Sequence, residues 1–241
     1  MKTIQKTAIG AAAVALLSGL ACSAAFAADT PANPEDAGLP ISANVTVVSD
    51  YRYRGISQSN FKPAIQGGFD YAHESGFYIG NWNSSISWIS DAASAGGSKN
   101  VSAPIEMDFY AGVKKELIGE GFASDLGVLQ YYYPTSGLPS SATNPNTTEI
   151  YAAQNFTFGP VTGFAKFSYA VTNTFGFTNS SGSYYPDLTM NYDTGVWGVA
   201  VNAHVGYQYI AGQAVVKGVP TANYTDWKLG LTKDFGGGLS L

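Results

Sequence analysis

Ala43-Asn44-Val45-Thr46-Val47-Val48-Ser49-Asp50-Tyr51-Arg52-Tyr53-Arg54 is the stretch on which the fold of this chain turns. Ala43, Val45, Val47, Tyr51 and Tyr53 share one side of an extended chain, with Ser49 the exception. Asn44, Thr46, Asp50, Arg52 and Arg54 share the other, with Val48 the exception. Successive side chains of a strand point to opposite faces, so the alternation predicts one apolar and one polar face. A tilted strand crosses the hydrocarbon of a bilayer in about 9–11 residues, and this stretch is long enough. In a barrel its Val/Tyr face would meet lipid and its Asp/Arg face the lumen.

The same parity recurs along the chain. It places Ile65, Phe69 and Tyr71 outward and Gln66 and Asp70 inward. It places Ile105, Met107, Phe109, Ala111 and Val113 outward, with Glu106, Asp108, Tyr110 and Lys114 inward. Further on, Val199, Val201, Ala203, Val205 and Tyr207 oppose Asn202, His204 and Gln208. Trp227, Leu229 and Leu231 oppose Asp226, Lys228 and Thr232. Residues 76–88, 124–133 and 161–169 alternate less cleanly.

Connections between these segments alternate in length. The long ones are 55–62, 89–100, 134–147, 172–183 and 211–222; the short ones are 73–76, 115–121, 159–160, 193–195 and 235–238. A β-sandwich has no reason to sort its turns this way. A barrel of the outer membrane carries short periplasmic turns on one rim and longer extracellular loops on the other. The expectation is therefore an all-β chain, an antiparallel transmembrane β-barrel of 10–12 strands. Ten strands are complete, and Leu239-Ser240-Leu241 reads as the start of an eleventh. Such barrels favour even strand numbers, so a twelve-strand barrel with a further hairpin is expected, and a ten-strand barrel with a short tail is the alternative.

Residues 1–27 read as a secretory signal peptide, with Lys2 and Lys6 before the apolar run 9–20 and Ala25-Phe26-Ala27 as the cleavage site. That run is too short to span a bilayer as a helix. The one cysteine, Cys22, lies inside the segment. A lipoprotein signal usually has Leu where Gly19 stands, so Cys22 is expected to be discarded with the signal peptide, a lipid anchor being the minor alternative. Residues 28–40 read as a disordered lead-in and 41–241 as one domain. With the signal peptide removed, no cysteine remains for disulfides or thiolate metal sites. The whole chain has 12 basic and 17 acidic residues, and cleavage would make it more acidic still. That balance argues against nucleic-acid binding. Export without an anchoring helix leaves a secreted soluble protein or a barrel. Aromatics near strand ends, namely Tyr53, Trp88, Tyr131, Tyr132, Tyr133, Tyr184, Tyr185, Trp197, Tyr224 and Trp227, suit interfacial girdles.

Several motifs carry a family likeness. Ser49-Asp50-Tyr51-Arg52-Tyr53-Arg54-Gly55-Ile56-Ser57-Gln58 is the most specific. Others are Pro63-Ala64-Ile65-Gln66-Gly67-Gly68-Phe69-Asp70-Tyr71, Gly76-Phe77-Tyr78-Ile79-Gly80-Asn81-Trp82 and Ile105-Glu106-Met107-Asp108-Phe109-Tyr110-Ala111-Gly112. Tyr132-Tyr133-Pro134 and Asp226-Trp227-Lys228-Leu229-Gly230 complete the set. Together they resemble the Gcw_chp family of proteobacteria, the TorF-type porin group. The resemblance implies an outer-membrane barrel of channel function with no assigned substrate, and a further hairpin beyond the Asp-Trp-Lys strand.

Asp50, Arg52, Arg54, Gln66, Asp70, Glu106, Asp108, Asp226 and Lys228 are the expected pore lining. Charged rings in a pore set ion selectivity. The same residues could instead form a salt-bridge network that holds a narrow barrel together. Acids outnumber bases on this face, which leans towards cations or cationic solutes. A barrel-embedded hydrolase is a competing reading. It would need a nucleophile beside a base and an orienting group. His73 lies in a turn, and His204, though inward, has no serine motif to serve. A structural or adhesive barrel acting through its long loops is the third reading. No cofactor or metal is expected. The expected partners are outer-membrane lipids and small solutes or ions, and the oligomeric state stays open.

Overall fold

The computed structural model describes residues 41–98, 100–213 and 221–241. The signal peptide and lead-in expected at 1–40 lie outside the described residues, as does part of the 211–222 connection. The strands are β1 (Ile41–Val48), β2 (Arg52–Tyr53), β3 (Ile56–Ser57), β4 (Ala64–Ala72), β5 (Phe77–Ser85) and β6 (Ile105–Gly119). They continue as β7 (Phe122–Tyr132), β8 (Thr147–Phe158), β9 (Val161–Ala170), β10 (Tyr184–Asp193), β11 (Val199–Gln208), β12 (Tyr224–Gly236) and β13 (Leu239–Ser240). One helix, α1 (Trp88–Ala95), interrupts the series. With the β2–β3 hairpin set aside, the strands form one 11-stranded sheet in chain order, β1 and then β4 through β13. Every neighbouring pair is antiparallel. β1 and β13 are the two ends of that order, and no pairing joins them among the described residues. The architecture is thus an all-β antiparallel meander with almost no helix. No helix of the described residues is long and apolar enough to cross a membrane, which leaves crossing by strands untouched.

Side-chain parity follows the alternation closely. On β12, Trp227, Leu229 and Leu231 are 75%, 70% and 72% exposed, while Asp226 and Thr232 are buried. On β6, Phe109 and Val113 are exposed, while Glu106, Asp108 and Tyr110 are buried. Gln66 is buried opposite the exposed Ile65, and Asn202 and Gln208 are buried opposite Val205 and Tyr207. One surface of the sheet is therefore oily and exposed, and the other is polar and buried. The polar surface is concave, because the single β2–β3 hairpin touches β6, β8, β11 and β12 at once. The alternating connections also appear, with β6 running on to Gly119 and shortening the turn expected at 115–121.

The opening stretch departs from expectation. The strand does not run to Arg54; it stops at Val48, and β2 and β3 turn inward. Tyr51, expected outside, is 1% exposed and donates its hydroxyl to Glu106 at 2.6 Å. Tyr53 likewise packs against the interior aromatic cluster. The cause is local. Asp50 accepts hydrogen bonds from Ser57 Oγ at 2.5 Å and Ser59 Oγ at 3.3 Å, which folds the chain back on itself. Arg54 and Gly55 form the two-residue turn, with φ of 46° and 77°. Positive φ at both central positions defines the type I′ turn that suits a tight hairpin. Gly55 also sits against β12, where an added Cβ would come within 2.6 Å of Asp226 Cβ. Gly55→Ala is therefore expected to lower stability by about 1–3 kcal/mol, the scale of one strained left-handed residue. Thermal unfolding followed by circular dichroism checks it.

Other aromatics expected at strand ends also turn inward. Tyr131, Tyr133 and Tyr185 are buried, whereas Trp197, Trp227 and Tyr132 stay outside. Tyr185 covers Gly206 so closely that any side chain there would collide with its ring. Trp88, expected to end a strand, begins α1 instead, because β5 stops at Ser85. Ile89 anchors that helix, and Trp88 meets Tyr133 edge-on at 5.5 Å.

Candidate functional site

The concave side holds most of the charged residues that strand parity placed inward. At its centre the Arg54 guanidinium forms a two-pronged ion pair with Glu149 on β8, at 3.0 Å to Oε1 and 2.8 Å to Oε2. Arg54 also donates to Gln208 Oε1 on β11 at 2.8 Å. Paired parallel hydrogen bonds of this kind are stronger and more directional than a single contact. The Arg54 guanidinium lies 4.2 Å from the Tyr185 ring centre, 4.9 Å from Tyr53 and 5.9 Å from Phe175. Burial is the largest single effect and works against its charge, but Glu149 together with the Tyr53 and Tyr131 oxygens outweighs it and holds the Arg54 pKa well above its ordinary value. The hairpin is thus tethered across the interior.

Around this bridge most inward carboxylates have hydrogen-bond partners, many of them tyrosines. Glu106 accepts from Tyr51 at 2.6 Å and Tyr133 at 2.7 Å. Asp70 accepts from Tyr110 at 2.5 Å. Asp125 accepts from Tyr78 at 2.6 Å, and the Tyr78 hydroxyl also meets that of Tyr151. Asp226 accepts from Tyr185 at 2.8 Å and faces His204 Nε2 at 2.9 Å. His204 Nδ1 lies 3.0 Å from Asp187 Oδ1. Gln66 donates to Ser84 Oγ at 3.1 Å. Interior polar atoms with no hydrogen-bond partner among the described residues include Asp108 Oδ1, Lys114 Nζ, Gln66 Oε1 and Trp82 Nε1. A buried charged atom without a partner costs free energy unless water reaches it, so these positions point to a wetted interior.

Of the expected lining residues, Arg54, Gln66, Glu106, Asp108 and Asp226 are buried on the concave side, and Asp70 and Lys228 are half-buried there. Lys228 stands opposite His204 in the β11–β12 register. Arg52 lies on the more exposed, outer side of the hairpin turn, 48% exposed and paired at 2.8 Å with Asp50, which is 17% exposed, while Arg54 is buried. Glu149, Asp125, Asp187 and Lys166 were not anticipated. For Glu149 a signal existed, since Glu149 and Tyr151 alternate with Ile150 and Ala152.

His204 has partners at both ring nitrogens, with Thr189 Oγ1 at 3.1 Å from Nδ1 and Tyr185 Oη at 3.0 Å from Nε2. No serine is among them. Among the described residues no group of three or more His, Cys, Asp or Glu side chains could hold a metal ion.

The chain is thus an all-β antiparallel meander with one oily exposed face and one bridged polar face. The family model described as a bacterial protein of unknown function (Gcw_chp) matches residues 32–241, and the chain belongs to that family. No curated protein matches it.

Proposed function

We propose that this protein is an outer-membrane β-barrel that conducts ions or small solutes through a narrow polar passage, with closure of the sheet completed in the membrane. The supporting observation is the two-sided sheet. Ile65, Phe69, Ile79, Phe109, Leu126, Ile150, Phe167, Leu188, Val205 and Leu229 are all exposed on successive strands. Soluble monomers rarely present contiguous apolar patches beyond a few hundred Å², whereas lipid requires such a band. Barrels of roughly this strand number fall between the side-chain-filled eight-stranded type and the wide porins. The tethered hairpin narrows the passage further. Acidic side chains dominate the interior, favouring cations. The protein carries no catalytic role in this reading.

Reconstitution in a planar bilayer tests the proposal. Stepwise conductance with a preference for cations is expected. Arg54→Ala removes the bridge across the interior and should enlarge the unit step and strengthen the cation preference. Arg52→Ala, on the outer side of the turn, should change neither. A folded, inserted protein that leaves the bilayer electrically silent overturns the channel. The dense tyrosine–carboxylate bonding favours one second reading, a sealed barrel that acts through its long connections, and electrical silence would support it.

A further inference from the structure

Each long connection contributes to the wall of one cavity of about 440 Å³ on the rim that carries them. Tyr53 comes from the inserted hairpin, Trp88 from α1, and Tyr133 from the segment after β7. Phe175 and Phe177 come from the β9–β10 connection and Ile210 from the one after β11. Cavities of about 300–1,000 Å³ with mainly apolar walls and a few placed polar groups are the usual form of small-molecule sites.

The polar groups of the wall define what could enter. Arg54 is neutralised by Glu149 and also bound to Gln208. Gln208 Nε2 donates to the Tyr184 and Tyr209 carbonyls at 3.3 and 3.0 Å, and Gln58 Nε2 to the Ile56 carbonyl at 3.0 Å. The Tyr53 hydroxyl meets Tyr131, and the Tyr133 hydroxyl donates to Glu106. The Trp88 indole nitrogen is buried with no partner among the described residues. An anion would have to displace a two-pronged carboxylate from Arg54. A cation would meet ring faces of Tyr53 and Phe175 that Arg54 already serves. A sugar would find few free hydrogen-bonding groups. What the wall presents to a solute is mainly aromatic and aliphatic surface.

We propose that this chamber is a binding site for a small, uncharged, mainly apolar solute with an aromatic ring. The site does not depend on conduction. Its test is equilibrium dialysis of the detergent-solubilised full chain, with acetophenone as probe and protein-free micelles as reference. Saturable binding of one acetophenone per chain is expected. Benzoate and benzylammonium, similar in size but charged, should bind about tenfold more weakly or worse. Ethylbenzene, which is uncharged and of similar size, should bind about as tightly as acetophenone. Ile210→Trp fills the chamber and should abolish binding of both. Uptake that stays linear in probe and equals that of empty micelles overturns the proposal, as does benzoate binding as tightly as acetophenone. The probe and charge comparisons are made on the unmutated protein, so they decide the matter even if a variant misfolds. No current is read, so a protein that binds acetophenone but does not conduct refutes the channel and leaves the chamber standing.

Discussion

Glu149→Ala should destabilise the protein by about 3–5 kcal/mol, the range found when one partner of a buried ion pair is removed. The reason is what it leaves behind. Arg54 is 4% exposed and would keep Gln208 as its hydrogen-bond acceptor but lose both carboxylate oxygens. Arg54→Ala strands the carboxylate instead, leaving Glu149 only a long 3.3 Å contact from the Tyr131 hydroxyl. The double variant removes both charges and should recover much of the loss, because desolvation then no longer opposes folding. Urea unfolding of the detergent-folded protein, followed by tryptophan fluorescence, gives all the corners of the cycle. Strictly additive losses would mean that the pair is not coupled and that the hairpin is held by other contacts.

Leu229→Arg addresses the other surface of the sheet. Leu229 is 70% exposed between Trp227 and Leu231 on β12. If that surface meets acyl chains, an arginine there costs about 2–4 kcal/mol near the bilayer midplane. If it meets water, the change should stay within about 0.5 kcal/mol, as for ordinary surface substitutions. Equilibrium folding into lipid vesicles separates the two. An unchanged folding free energy in lipid would remove the basis for placing this protein in a membrane.

Much of the fold was legible because period-2 alternation survives wherever the chain stays in the sheet. Asp226, Lys228 and Thr232 against Trp227, Leu229 and Leu231 is the clearest case, and Glu106 and Asp108 against Met107 and Phe109 is another. The rule fails where a strand ends unannounced. Tyr51 and Tyr53 kept the parity of Val45 and Val47, but Asp50 had already turned the chain through its serine contacts. The adjacent Arg54-Gly55 was the available sign of a turn. Trp88 misled for a related reason: α1 spans Trp88–Ala95, and two turns are too few to establish a helical period. The centre of the site was legible only by half. Arg54 was expected inside, but its partner Glu149 is 95 positions away, and no spacing rule links residues so far apart.

That separation bears on how the molecule comes together. Arg54 leaves the ribosome well before Glu149 and Gln208, from which it is separated by 95 and 154 positions. Contacts so distant along the chain form late, because long loops must close before they gain anything. The early-made hairpin therefore has nowhere to dock until β8 and β11 have taken their places. Its seating marks the end of assembly: a part of the domain synthesised early is among the last to settle.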